Sequence, residues 1–310
     1  MTQVQFTNKF NLPPEVVNAI MKDRYTTEGE EEYDLSVTTL ISPIQQTALC
    51  SRHKGNLAVR DVMDNFWSFL GSIAHQILEE GWHKDMGSIV EQRLYYTCEG
   101  IKIGGKFDCY GQGEIRDYKT TKVYKVMKGD FKEWEKQLNI YAFFCDKNNL
   151  PVSSIKVIAI LLDWSLYEKR PNYPPAPIQI IQLPLWRSER TEAYIKDRVL
   201  KLLKASTIDD LSLAYTYPCS REEMWSDVKD HIIAKKGRKN AVKVFSDYNM
   251  ALTEYQNNYQ HDKKYSVITR YKERKRCFRY CPASNTCQQH KMLCQQEGVK
   301  EEEEQEDLLF

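Results

Sequence analysis

Within Gly104 to Lys122, GGKFDCYGQGEIRDYKTTK, two aspartates and a lysine stand at spacings that suit metal-dependent hydrolysis of a phosphodiester. Gly111-Gln112-Gly113 is turn chemistry between two β-rich runs, so the segment predicts a β-hairpin. With Gln112-Gly113 as the loop, Asp108 faces Asp117 across the strands, with Cβ atoms about 4.5–5.5 Å apart. Two carboxylates at that spacing can share one divalent cation. Strand alternation puts Lys119 on the face of Asp117, where its ammonium can stabilise charge developing on a phosphate. An isolated Asp-x-Lys on a hairpin is ordinarily a solvated surface feature, so the assignment depends on what else converges there.

The elements that must position these groups are legible. Phe66, Phe69, Leu70, Ile73 and Ile77 recur at helical period within Asp64 to Trp82, which predicts an amphipathic helix with that stripe buried. His75 lies off the stripe and can reach a polar site. Ser88 to Thr97, Ile101 to Asp108 and Glu114 to Lys119 read as three successive strands, followed by a helix over Phe131 to Cys145. That helix sets Gln137 and Tyr141 one turn apart on one side. Ile155 to Leu162 is an apolar, β-branched run suited to a buried strand, and Ile178 to Pro184 to an edge strand.

This order, with His75, Asp108, Asp117-Tyr118-Lys119 and Gln137-x-x-x-Tyr141, resembles the PD-(D/E)XK nuclease superfamily, in its RecB-like branch. The resemblance implies an α/β fold with a restriction-endonuclease-like αβββαβ core, its mixed central sheet flanked by helices. It implies Mg²⁺ or Mn²⁺ held by His75, Asp108, Asp117 and the Tyr118 carbonyl. Lys119 would activate or orient water, and Gln137 and Tyr141 would help position the substrate or the lysine. Two carboxylates, an imidazole and an ammonium are the parts that phosphodiester hydrolysis needs, because bound cations acidify water and neutralise charge at phosphorus.

Cysteine usage is a separate signal. Nine cysteines without a secretory or membrane-spanning apolar run point to a reducing cytoplasm, that of a bacterium or a phage-infected host cell. Cys277, Cys281 and Cys287 cluster near the end of the chain at spacings typical of metal ligands. RecB-like members such as the AddB subunit and the CRISPR adaptation nucleases carry a 4Fe-4S cluster with one ligand before the core and three after it. By that resemblance the ligands are Cys50, Cys277, Cys281 and Cys287, an iron-sulfur knot joining the N- and C-terminal parts. The family's late pattern is Cys-x2-Cys-x5-Cys, and this chain has one residue more in the first gap. Zn²⁺ on Cys277, Cys281, Cys287 and Cys294 is the alternative. Cys98, Cys109, Cys145 and Cys219 read as small apolar residues.

Residues 1–300 are expected as a single nuclease domain: N-terminal helices over 1–63, catalytic core over 64–163, then strand, helices and a basic insertion over 164–270, and the cysteine knot over 271–300. Residues 301–310, EEEEQEDLLF, read as an acidic disordered tail. The net charge of +1 hides an asymmetry, since the six acids of the tail leave +7 on the residues before it, a charge that can attract a polyanion. Lys235, Lys236, Arg238, Lys239 and Lys243 surround Gly237 as in a small hairpin, similar to basic pieces of phage-encoded nucleases of this type, and read either as a grip for backbone phosphates or as a solvated surface run. Gln305, Leu308, Leu309 and Phe310 loosely resemble sliding-clamp peptides or the tails of single-strand DNA-binding proteins, which implies a replisome partner. The expected function is a metal-dependent deoxyribonuclease, an exonuclease on single-stranded DNA or DNA ends in replication, recombination or repair, with no membrane association. The alternative is a catalytically weak DNA-binding or replisome-adaptor protein that keeps the nuclease fold.

Overall fold

A computed structural model of the chain describes residues 6–22, 31–57, 59–81 and 88–297. Gln305, Leu308, Leu309 and Phe310 lie outside the described residues. The chain divides into two compact units, Met1–Gly55 with Val59–Ile208, and Asn56–Ala58 with Asp209–Phe310.

The first unit is mixed α/β. Its longer helices are α1 (Ile44–Arg52), α2 (Phe66–Glu80), α3 (Lys132–Lys147) and α4 (Ser188–Thr207), and shorter ones span Pro14–Met21, Val37–Ile41 and Val123–Lys128. Its main strands are β1 (Ile89–Val90), β2 (Arg93–Cys98), β3 (Ile101–Lys106), β4 (Cys109–Gly111), β5 (Glu114–Thr121), β6 (Ser154–Leu161) and β7 (Ile178–Leu183). Five of them form one sheet in the order β7-β6-β5-β4-β1, parallel between β5 and β6 and antiparallel elsewhere. A second sheet pairs β2 with β3 and adds Leu35–Ser36 alongside β3.

Period-two patterning explains β6, whose Ile155, Val157, Ala159 and Leu161 are all buried. Burying each of the larger side chains favours the fold by about 1.5–3 kcal/mol. Every residue of α3 from Gln137 to Cys145 is buried, and Leu138, Ile140, Phe143 and Phe144 join the same core. The close approach of α3 to β3 depends on Gly105, where an added Cβ would lie 2.8 Å from Val37 Cγ2 and 3.0 Å from Tyr141 Cε1. The Gln112-Gly113 loop is as expected: Gln112 has φ of 53° and Gly113 of 75°, the pair of positive values that a two-residue hairpin turn requires.

Two expected strands are broken. Ser88 to Thr97 divides into β1 and β2, and Ile101 to Asp108 ends at Lys106, with β4 beginning at Cys109 in the other sheet. The breaks match, because Val90 pairs with Cys109 and Arg93 with Lys106, so Glu91-Gln92 lies across from Phe107-Asp108. Phe107 turns into the core at 1% exposure, and Glu91 adopts φ of 52°. Burial of one aromatic ring bends both strands together and passes the chain from one sheet to the next. A second correction concerns α2. Phe66, Phe69, Leu70 and Ile73 are only half-buried and Ile77 is 62% exposed, while the face bearing Gly71 and His75 approaches β5 at Thr120 and Tyr118.

Glu114 fastens the start of β5 to β6. It accepts from Ser154 Oγ at 3.0 Å and pairs with Lys156 at 2.5 Å and with Arg116 at 2.7 Å. Burial alone would raise its pKa, but hydrogen bonds from Lys156, Arg116 and Ser154 prevail and hold it at about 2. A depressed carboxylate contributes stability above its unfolded pKa and loses it as pH falls toward the folded one. Glu114→Gln is therefore expected to lower neutral-pH stability by on the order of 1 kcal/mol and to flatten the acid unfolding profile below the ordinary carboxylate range. Thermal melts across acidic pH check this, and an unchanged profile would remove Glu114 from that role.

The second unit holds α5 (Asp210–Thr216), β8 (Val228–Lys235), β9 (Lys243–Phe245), α6 (Tyr248–Asn258), β10 (Tyr265–Tyr271) and α7 (Gln288–Glu297). Its three strands form an antiparallel sheet in the order β9-β8-β10. Among the described residues, no helix is long and apolar enough to cross a membrane.

Candidate metal centre

The bend between the two sheets of the first unit gathers the chemistry. One ligand atom each from His75, Glu91 and Asp108 lie within 4.8 Å of one another. His75 comes from α2, Glu91 from the break between β1 and β2, and Asp108 from the residue before β4. The backbone locks the last two together, since the Glu91 N–H donates to the Asp108 carbonyl at 2.9 Å.

His75 Nε2 stands 2.8 Å from the Tyr118 carbonyl oxygen, and Nδ1 stands 3.5 Å from Asp108 Oδ1. Asp108 Oδ2 accepts the Tyr118 N–H at 2.6 Å. The β4–β5 ladder thus stops at Cys109–Arg116, and the Asp108 side chain takes the next main-chain donor. This fixes the carboxylate with one oxygen toward the helix. With Nε2–H donating to Tyr118, Nδ1 and Asp108 Oδ1 are two acceptors facing each other, and a proton or a metal ion must stand between them.

Electrostatics point the same way. Burial first, and then the charge of Asp117, push the Asp108 pKa well above the usual carboxylate range, with Glu91 adding to the effect. Lys119 and the Tyr118 N–H oppose that rise without cancelling it. A divalent cation would relieve such a cluster, and an imidazole with two carboxylates is a donor set able to hold one. The residues present therefore fit the group.

Asp117 is 2% exposed on β5 and pairs with Lys119 Nζ at 2.8 Å. The ligand group contains Glu91, which the sequence did not mark, and Asp117, expected as a ligand, is not part of it. Glu91 Oε2 also pairs with Lys106 Nζ at 2.6 Å. The available signal was the charged-polar pair Glu91-Gln92 interrupting an otherwise β-rich run. Gln137 and Tyr141 are both buried on α3 and bond to each other, Nε2 to Oη, at 2.8 Å.

The remaining expected sites fall elsewhere. In the second unit, Lys236, Arg238 and Lys239 are exposed in the turn between β8 and β9. Lys235 lies over the Tyr265 ring at 5.0 Å, and Lys243 pairs with Glu254 at 2.6 Å, so both are already engaged. None of the nine cysteines, all among the described residues, forms a disulfide. Cys50 belongs to α1 in the first unit, whereas Cys277, Cys281, Cys287 and Cys294 belong to the second.

No family model and no curated protein matches the chain. Among solved structures, SSO0001 aligns over 60% of this chain and 85% of its own, with 16% identity and a TM-score of 0.42. A protein named "Putative exonuclease", from Eubacterium rectale, aligns over 57% of this chain and 69% of its own, with 13% identity and a TM-score of 0.29.

Proposed function

We propose that the chain is a Mg²⁺- or Mn²⁺-dependent DNA nuclease of the PD-(D/E)XK type, acting as an exonuclease on single strands or DNA ends in replication, recombination or repair. One observation carries this reading: the His75, Glu91 and Asp108 ligand group stands beside the Asp117–Lys119 ion pair, joined to it through Tyr118.

A bound divalent cation would supply charge neutralisation at phosphorus and a more acidic water. His75, Glu91 and Asp108 would hold it, with the Tyr118 carbonyl at hand. Asp117 orients the Lys119 ammonium and fixes its position, so Lys119 can stabilise negative charge without reorganising when substrate arrives. The Tyr118 N–H keeps the Asp108 carboxylate from rotating away from His75. Gln137 and Tyr141 support the inner side of β3, through Tyr141 against Gly105. DNA phosphates would be drawn by the positive charge preceding the tail and gripped by the exposed Lys236, Arg238 and Lys239. A replisome partner, such as a sliding clamp, would dock on Gln305, Leu308, Leu309 and Phe310.

The test is hydrolysis of end-labelled linear single-stranded and duplex DNA by purified full chain, with Mg²⁺ or Mn²⁺ and with chelator. Stepwise loss of nucleotides from linear DNA, sparing closed circles and stopped by chelator, is the expected result. No cleavage of either substrate with either metal would end the nuclease reading and leave the adaptor alternative.

A further inference from the structure

Cys219, which reads in sequence as a small apolar residue, lies in the second unit with the late cysteines, and two separate sets of contacts bring it there. On one side, Gln289 clamps its main chain: the Cys219 N–H donates to Gln289 Oε1 at 2.8 Å, and Gln289 Nε2 donates to the Cys219 carbonyl at 2.9 Å. Gln289 is two residues beyond Cys287, at the start of α7. On the other side, the segment after Cys219 runs beside the residues leading to Cys277. The Arg276 N–H donates to the Met224 carbonyl at 3.2 Å, and Ser226 Oγ donates to the Lys272 carbonyl at 2.6 Å. The Cys219 main chain is thus held at the start of α7, just after Cys287, and the segment that follows it runs beside the residues before Cys277.

Burial, then neighbouring negative groups that include Cys287, Cys277 and Cys281, raise the Cys219 pKa. Cys277 is pushed up to about 12 by burial and then by Cys281 and Cys287, against the pull of Arg274 and Arg276. Cys287 sits at the N-terminus of α7 and accepts the His290 N–H on its sulfur at 3.4 Å. Burial raises the Cys287 pKa, and this N–H opposes the rise without cancelling it. The Arg274 guanidinium, in a residue 1% exposed, places positive charge among these sulfurs. Cys294 is occupied differently, 3.4 Å from Arg274 Nη2 and 3.8 Å from His290 Nδ1.

We propose that Cys219, Cys277, Cys281 and Cys287 together form a four-thiolate metal centre contained in the second unit, with Cys219 and not Cys50 as the fourth ligand. The occupant is a thiophilic centre, either an iron-sulfur cluster built from iron and inorganic sulfide or a zinc ion. Each thiol gives its proton to solvent as its sulfur bonds the metal, with no change in oxidation state at sulfur. Binding offsets the cost of placing four sulfurs together and closes the chain between residues 219 and 277 into a loop, so it contributes to folding of this unit.

The test uses full chain purified anaerobically, with metal and acid-labile sulfide measured per chain. Iron with matching sulfide identifies a cluster, and zinc alone identifies a zinc site; both support the centre. Cys219→Ser should lower metal content by about tenfold or more, as Cys277→Ser does, while Cys50→Ser and the core control Cys145→Ser keep it. Full metal content in Cys219→Ser, or its loss in Cys50→Ser, would overturn the assignment. Because a ligand variant can fail to fold, thiol alkylation of the intact chain provides a second measurement. Cys219 should be protected with Cys277, Cys281 and Cys287 until the metal is stripped. Equal labelling of Cys219 before and after stripping would also overturn it. None of these readouts depends on nuclease activity.

Discussion

Lys119→Ala is expected to leave a folded chain whose metal-dependent DNA cleavage is slower by about 10²–10³-fold, the usual effect of removing a preorganised charge from a phosphoryl or acyl transfer site. Lys119 is half-buried on β5 and pairs with Asp117, which is 2% exposed. Removing the ammonium leaves that carboxylate in the interior without its counter-charge, at a cost of about 1–3 kcal/mol. The double variant Lys119→Ala with Asp117→Asn removes the stranded charge, so it should recover stability without recovering cleavage. Lys119→Arg keeps the charge but not the compact ammonium geometry, and should remain impaired. Rates at saturating DNA, beside melting temperatures for each variant, separate chemistry from folding. Cleavage by Lys119→Ala within a few-fold of the parent chain would take Lys119 out of the mechanism.

Asp108→Asn should abolish cleavage and yet stabilise the chain in chelator at neutral pH. Asn keeps an oxygen to accept the Tyr118 N–H, and it removes a carboxylate that burial and Asp117 make costly. The sign follows from the direction of the shift. A folded-state pKa raised above the unfolded value means that the native chain holds the proton more tightly. Stability is complete below the unfolded pKa and declines as pH rises through the raised folded value. The parent chain in chelator should therefore weaken as pH climbs above the ordinary carboxylate range, and Asp108→Asn should not. Adding Mg²⁺ or Mn²⁺ should reverse the parent's loss by mass action and do little for the variant. A destabilised Asp108→Asn in chelator, or one that keeps the metal-induced rise in melting temperature, would contradict a cation at this position.

Local chemistry in the sequence reached far into the site. The turn residues Gln112-Gly113 set the hairpin register, and that register alone brings Asp108 toward Asp117 and orders Asp117 and Lys119 on one face. The apolar alternation of β6 and the edge position of β7 were likewise legible. The helical period of α2 was legible too, but not which face it would bury. Its apolar side chains are partly exposed because the Gly71–His75 face, with less bulk, is the one that can approach β5.

Sequence by itself determined the hairpin, the periodicity of its neighbours, and the residue types able to hold a cation and stabilise a phosphate. Tertiary structure alone decided that Glu91 joins His75 and Asp108, and that Gln289 clamps the main chain of Cys219, seventy residues earlier. The physical reason is the same in both cases. Turn type and side-chain period are set by interactions between near neighbours along the chain. The bend at Phe107 and the Gln289 clamp on Cys219 exist only once distant segments have packed and exhausted their main-chain partners.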